Sequence, residues 1–227
     1  LKALNSFIKE NGTESSGTNL SLRELFEEYI SLTESQPEDE YEGKGAEELY
    51  KLGKELYDGQ GTEADYEKAF ELFSMAAEKD NGDAMFSLGF MYDCGKGVTQ
   101  DYAQAFEWYT KAAENGNANA MYNLGHMYQS AKGITQDYAR AFEWYKKAAE
   151  KGNAFAMGIL GAMYYSGKGV TQDYAQAFEW LKKAAEKGLA NAMNSLGEMY
   201  YNGEGVTQDY AQAFEWYKKA AENGNAD

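Results

Sequence analysis

The chain has 227 residues, a formal net charge of -16 at pH 7, and single histidine, cysteine and proline residues. It has no basic stripe, which counterion release from nucleic acid would require, and the same acidity disfavours an anionic membrane surface. It has no apolar run of about 18 residues to cross a bilayer, and a lone cysteine, Cys94, cannot close an internal disulfide.

The acidity lies at the front. Residues 1–83 hold 21 acidic and 8 basic side chains, whereas residues 84–227 hold 16 and 13. Residues 1–10 are expected to form a short helix that stops at Asn11-Gly12, and the small polar residues 11–19 read as a linker. A helix is expected over about 20–33, opened by Ser21 with Glu24 three residues on. Its apolar stripe is Leu22, Leu25, Phe26, Tyr29 and Ile30. The acidic, Pro- and Gly-containing stretch 34–45 reads as a tether. Residues 1–47 are thus an acidic helical front with linkers, and the region 48–227 is a separate array.

That array repeats every 36 residues. The segments 84–119, 120–155, 156–191 and 192–227 align without gaps, and a divergent copy fits at 48–83. Each regular copy reads Ala-Met-x-x-Leu-Gly-x-Met-Tyr, a Gly-containing loop, Gln-Asp-Tyr-Ala-x-Ala-Phe-Glu-Trp, and Lys-Ala-Ala-Glu. A period of this size signals a solenoid, in which function resides on an extended surface. In the second copy a first helix is expected over roughly 84–94, with Met85, Leu88, Gly89 and Tyr92 as its buried stripe. Glycine costs a helix about 1 kcal/mol relative to alanine. Its recurrence at Gly89, Gly125, Gly161 and Gly197 therefore implies a large ring against that backbone. The following loop carries Gly95 and Gly97; Ala131 replaces the first of these in the next copy, so only the second is expected to be required. A second helix starts at Asp101 as N-cap and buries Tyr102, Ala105, Phe106, Tyr109, Ala112 and Ala113. Glu107 and Lys111 are spaced for an exposed ion pair, and Gly116 is placed for a left-handed stop.

The frame Leu-Gly-x-Met-Tyr, Gly-x-Gly-Val, Asp-Tyr-x-x-Ala and Trp-Tyr-x-Lys-Ala-Ala-Glu resembles the Sel-one-like repeat, a relative of the tetratricopeptide repeat. The resemblance covers five units, 180 of the 227 residues. It implies an all-α fold, a right-handed superhelical solenoid of antiparallel helix pairs, and adaptor or scaffold work. One secreted branch ties each pair with a disulfide, and the cysteines for that are missing here.

Positions that change between copies are free of the common fold. On the first helix these are Phe86, Tyr122, Gly158 and Asn194; Phe90, His126, Ala162 and Glu198; and Asp93, Gln129, Tyr165 and Tyr201. The position just before each helix also varies, through Asp83, Asn119, Phe155 and Asn191. By resemblance to tetratricopeptide arrays this face lines a concave groove, and its surplus aromatics suit binding anchors. The expected partner-binding set is Phe86, Phe90, Asp93, Asn119, Tyr122, His126, Gln129, Phe155, Tyr165, Asn194, Glu198 and Tyr201.

Catalytic chemistry is not legible. His126 has no histidine or cysteine company for a metal and no spaced nucleophile. The Gly-x-Gly loops lack the Lys-Ser/Thr ending of a phosphate loop. The sequence therefore reads as a non-catalytic, cytoplasmic scaffold with no cofactor, taking a protein or peptide ligand. The alternative is a regulatory or targeting region of an enzyme whose catalytic domain lies before Leu1, since no Met opens the chain. The last copy closes without a polar capping helix, so either more sequence in the natural gene or end-to-end self-association through Phe214, Trp216 and Tyr217 is also expected.

Overall fold

The computed structural model describes residues 41–59 and 63–224. The expected elements at 1–10, 11–19 and 20–33, the stretch 34–40, and Gly61 lie outside the described residues. Two compact units divide the chain, Leu1–Lys44 and Gly45–Asp227; the second holds the array.

The described residues of that unit form ten helices and no strand: α1 (Ala46–Asp58), α2 (Tyr66–Glu78), α3 (Gly82–Cys94), α4 (Tyr102–Glu114), α5 (Ala118–Ser130), α6 (Tyr138–Glu150), α7 (Ala154–Ser166), α8 (Tyr174–Glu186), α9 (Ala190–Asn202) and α10 (Tyr210–Gly224). Odd-numbered helices are the first of each pair, called A here, and even-numbered ones are the second, called B. Each helix packs chiefly on its neighbours in the chain, both within a pair and between pairs. This is a one-dimensional stack.

The caps explain the register. Asp101 accepts the N–H groups of Ala103 (2.9 Å) and Gln104 (3.1 Å), and Asp137 accepts that of Arg140 (2.9 Å). The A helices start two residues earlier than expected, because Asn81 and Asn117 accept the N–H groups of Ala84 and Ala120 at 2.8 and 2.9 Å. Asp83, Asn119, Phe155 and Asn191 therefore sit inside the first turn, not before it. Gly116 takes the left-handed stop expected of it, at φ 90°.

Two loop positions differ in what they require. Gly97 has φ 70°, and a Cβ there would come within 2.6 Å of the Tyr66 carbonyl oxygen, so it is needed as expected. Ala131, however, also adopts φ 58°, as Gly95 does at φ 69°. The first position needs the left-handed turn after all, and Ala131 holds it at a cost of about 1–2 kcal/mol.

Packing follows the small residues. Leu88, Leu124, Leu160 and Leu196 are fully buried, with Met91 and its equivalents beside them. Tyr92 is only half-buried. Its ring receives Phe70 of the preceding repeat edge-on, 5.6 Å between centroids, and the pairs Phe106–Tyr128, Phe142–Tyr164 and Phe178–Tyr200 repeat that contact. A Cβ at Gly89 would lie 2.6 Å from the Tyr109 ring, and at Gly125 2.8 Å from the Tyr145 ring. The ring predicted against this glycine is thus present, except at Gly161, where Leu181 takes its place. On the outer surface Lys111 lies over the Trp108 ring, 4.1 Å from its centre, and Lys147 does the same over Trp144. No Glu107–Lys111 ion pair forms among the described residues; the cation–π contact is made instead.

Candidate functional site

One side of the A helices carries most of the predicted residues. Phe86 is half-buried against Tyr109, 5.8 Å between ring centres. Phe90 is 37% exposed and Phe155 is 62% exposed. Tyr122 stands between Tyr145 and Phe155 at 5.7 and 6.2 Å. His126, Asn194 and Glu198 are exposed, and exposed Tyr201 leans edge-on against Tyr210.

Asp93, Gln129 and Tyr165 behave differently. Each is engaged inside the solenoid. Asp93 pairs with Lys132 of the next repeat at 2.6 Å, and Tyr165 donates to Glu204 of the next repeat at 2.7 Å. Gln129 accepts the Tyr145 hydroxyl at 2.7 Å. In the first repeat Tyr57 occupies this position, and Lys96 lies over its ring at 5.0 Å. The premise that variation here marks freedom from the fold does not hold. The column varies because each residue in it finds a different partner, in its own repeat or in the next. Partial burial pulls the Lys132 ammonium down, but its bond to Asp93 outweighs that and raises it. The Glu204 carboxylate, by accepting the Tyr165 hydroxyl, pushes that phenol up to about 12.

A polar ladder runs along one edge. Each capping Asn uses its Oδ1 on its own helix and its Nδ2 on the previous repeat: Asn81 donates to Glu47 (3.3 Å), Asn117 to Asp83 (2.7 Å) and Asn153 to Asn119 (3.0 Å). Asn119 is thereby a rung of the ladder. The fourth rung is apolar. Leu189 caps α9 with no side-chain hydrogen bond, and Phe155 stands where Asp83 and Asn119 stood. The Gln100 series is a further structural column, missed in the sequence: Gln100 donates to the Asp93 carbonyl at 2.7 Å, and Gln136, Gln172 and Gln208 repeat the bond. Its signal was its invariance beside Asp101.

Two cavities open on this face. One, of about 230 Å³, lies between α1 and α3 and is lined by Tyr50, Lys54, Phe86 and Phe90. The other, of about 410 Å³, lies across α5, α7 and α9 and is lined by Tyr122, Phe155, Ile159, Ala162, Leu181 and Leu189. Among the described residues no group of three or more His, Cys, Asp or Glu side chains could hold a metal, and no helix is long and apolar enough to cross a membrane. Cys94 is exposed at the end of α3, its thiol pushed up by partial burial and by Asp93.

A family model for the Sel1 repeat matches residues 49–81, 82–117, 118–153, 154–189 and 190–225. A protective antigen of uropathogenic Escherichia coli with an SLR fold is 33% identical, with a TM-score of 0.76 over 99% of this chain and 45% of its own. The chain thus spans less than half of that antigen. A Sel1 repeat protein from Oxalobacter formigenes is 31% identical, with a TM-score of 0.75 over 88% of this chain and 84% of its own. An immunity protein of Pseudomonas aeruginosa is 25% identical, with a TM-score of 0.51 over 79% of this chain and 66% of its own. No curated protein matches the chain.

Proposed function

Because this chain belongs to the Sel1 repeat family, whose members generally act in protein–protein interaction, we propose that it is a non-catalytic scaffold. It holds a protein or peptide partner along the free face of its A helices. The observation that carries the reading is the exposure of Phe90 and Phe155 on that face. The core is complete without either ring, and exposed aromatics beside cavities suit binding anchors. Phe86, Tyr122, His126, Asn194, Glu198 and Tyr201 complete the proposed surface. Asp93, Gln129, Tyr165 and Asn119 contribute to it only through atoms their internal bonds leave open.

Affinity capture with the intact chain and with a Phe90→Ala/Phe155→Ala variant, read by mass spectrometry, tests this. Partners lost by a variant that still melts cooperatively as a folded helical chain are the expected result. Partners retained equally by both chains would sink the reading.

The far end supports a second contact. Phe214 is 65% exposed and Tyr210 60%, whereas the equivalent Phe142 is buried against Tyr164 of the next repeat. Trp216 is half-buried under Lys219 and takes less part. A second copy of the chain is the proposed cover for this face.

A further inference from the structure

Five departures from the repeat pattern fall in and around the fourth repeat, and all five line one cavity. Gly158 stands where Phe86 and Tyr122 stand, Ile159 where Ser87 and Asn123 stand, and Ala162 where Phe90 and His126 stand. Leu181 replaces Tyr109 and Tyr145, and Leu189 replaces Asn117 and Asn153. Two changes remove bulk, at Gly158 and Ala162. Three remove polar atoms. Together they leave about 410 Å³ of space with apolar walls, at the lower end of the range of about 300–1,000 Å³ typical of ligand pockets. α9 loses its side-chain cap, and Phe155 is left 62% exposed beside the opening.

No lining residue is ionisable apart from the Tyr122 phenol. Glu198 lies one turn along α9 from Ser195, which does line it, and i, i+3 neighbours stand about 5–6 Å apart. Glu198 is exposed, and its carboxylate has no ion pair or hydrogen bond among the described residues.

We infer that this cavity takes one bulky apolar side chain of a cationic peptide segment, whose neighbouring Lys or Arg meets Glu198. The inference rests on the groove reading above and specifies its partner. The apolar side chain supplies affinity by leaving water. The basic neighbour supplies orientation and a faster encounter.

The test pans a phage-displayed random peptide library on the full chain, then measures the synthesised winners by fluorescence anisotropy. Gly158→Tyr restores the side chain of the third repeat. The backbone accepts it, since a Cβ there meets only Leu189 Cδ1 at 3.7 Å and Ala184 Cβ at 4.0 Å. Glu198→Lys places there the residue that Lys54 provides in the first repeat. Circular dichroism checks that each variant is folded. The expected winners carry one aromatic, Leu or Met beside Lys or Arg. Gly158→Tyr should weaken them about tenfold or more. Glu198→Lys should weaken them about threefold to fivefold at low salt, and less at high salt. Acidic or wholly polar winners, no winners, or winners indifferent to Gly158→Tyr overturn the inference. Winners indifferent to Gly158→Tyr but weakened by Phe90→Ala leave the groove reading standing without this pocket. Winners indifferent to both remove both.

Discussion

The step from the second repeat to the third and the step from the fourth to the fifth stack their helices alike but hold them with different chemistry. Both use an edge-on ring pair, Phe106–Tyr128 and Phe178–Tyr200. The earlier step adds Asn117 on Asp83 and Lys132 on Asp93. The later step has Leu189 and Phe155 on the ladder edge, and Tyr165 donating to Glu204. The shared column of rings and small residues therefore fixes the stack. The junction contacts around it are exchangeable: a lysine meets Tyr57 and Asp93 alike, and Glu204 meets Tyr165. The later step also gives up a capping side chain, worth about 0.5–2 kcal/mol, at the place where a cavity opens. A local rule broken without a structural return marks a site worth testing for binding.

The largest effect should come from the part both steps share. Leu124 is fully buried, and Leu124→Ala should destabilise the chain by about 2–5 kcal/mol, as large-to-small core changes do. Phe90→Ala, on the free face, should cost less, about 1–2 kcal/mol, because that residue keeps 37% of its exposure in the fold. Urea denaturation of both variants checks the pair. Equal losses would mean that the A-helix face is core, and the distinction between stack and surface would fail.

A smaller effect of opposite sign is expected on the ladder. Asn153→Leu removes the cap of α7 and the rung to Asn119, and should cost about 0.5–2 kcal/mol. Leu189→Asn should stabilise by a similar or smaller amount, since it returns a cap to α9. The same change puts a polar group in the cavity wall and should weaken any peptide that docks there, a trade of function for stability. Thermal melts of both variants decide it. A destabilising Leu189→Asn would show that the apolar rung serves the fold.

Much of this was legible in the sequence, for a physical reason. A solenoid imposes the same duties every 36 residues, so repetition exposes them. Leu88, the ring over Gly89 and the cap at Asp101 could all be read from recurrence. What recurrence hides is pairing across repeats. Asp93, Gln129 and Tyr165 look unconstrained in their own column, because each is constrained by a different residue, 39 positions on for Asp93 and Tyr165 and the Tyr145 hydroxyl for Gln129. The cavity was missed in the same way: Gly158, Ile159, Leu181 and Leu189 sit in four separate columns, and only the fold brings their departures to one place.

Exposed Phe214 contrasts with Phe142, whose ring the following repeat covers. Multi-angle light scattering across a concentration series should show reversible self-association, and Phe214→Ser should reduce it. Phe214 has the exposure that Phe142 loses to Tyr164. A mass that stays monomeric at every concentration would refute a second copy as the cover.

The smallest effect separates the two polar junctions by pH. The bond to Glu204 holds the Tyr165 phenol up to about 12, against an ordinary value of 10.0 in model peptides. A raised value means that the fold prefers the neutral phenol. The contribution is therefore complete below about pH 10 and is lost as pH rises through about 12, as unfolded tyrosine ionises first. Burial also pushes Tyr109 and Tyr145 up, so the raw pH profile of the wild type mixes several groups. The informative quantity is the difference in melting temperature between wild type and Tyr165→Phe. It should be constant and favour wild type up to about pH 9, then shrink between about pH 10 and 12. A difference that stays constant through that window would mean that Tyr165 does not depend on its hydroxyl at this junction, and that the fourth and fifth repeats are held by the ring column alone.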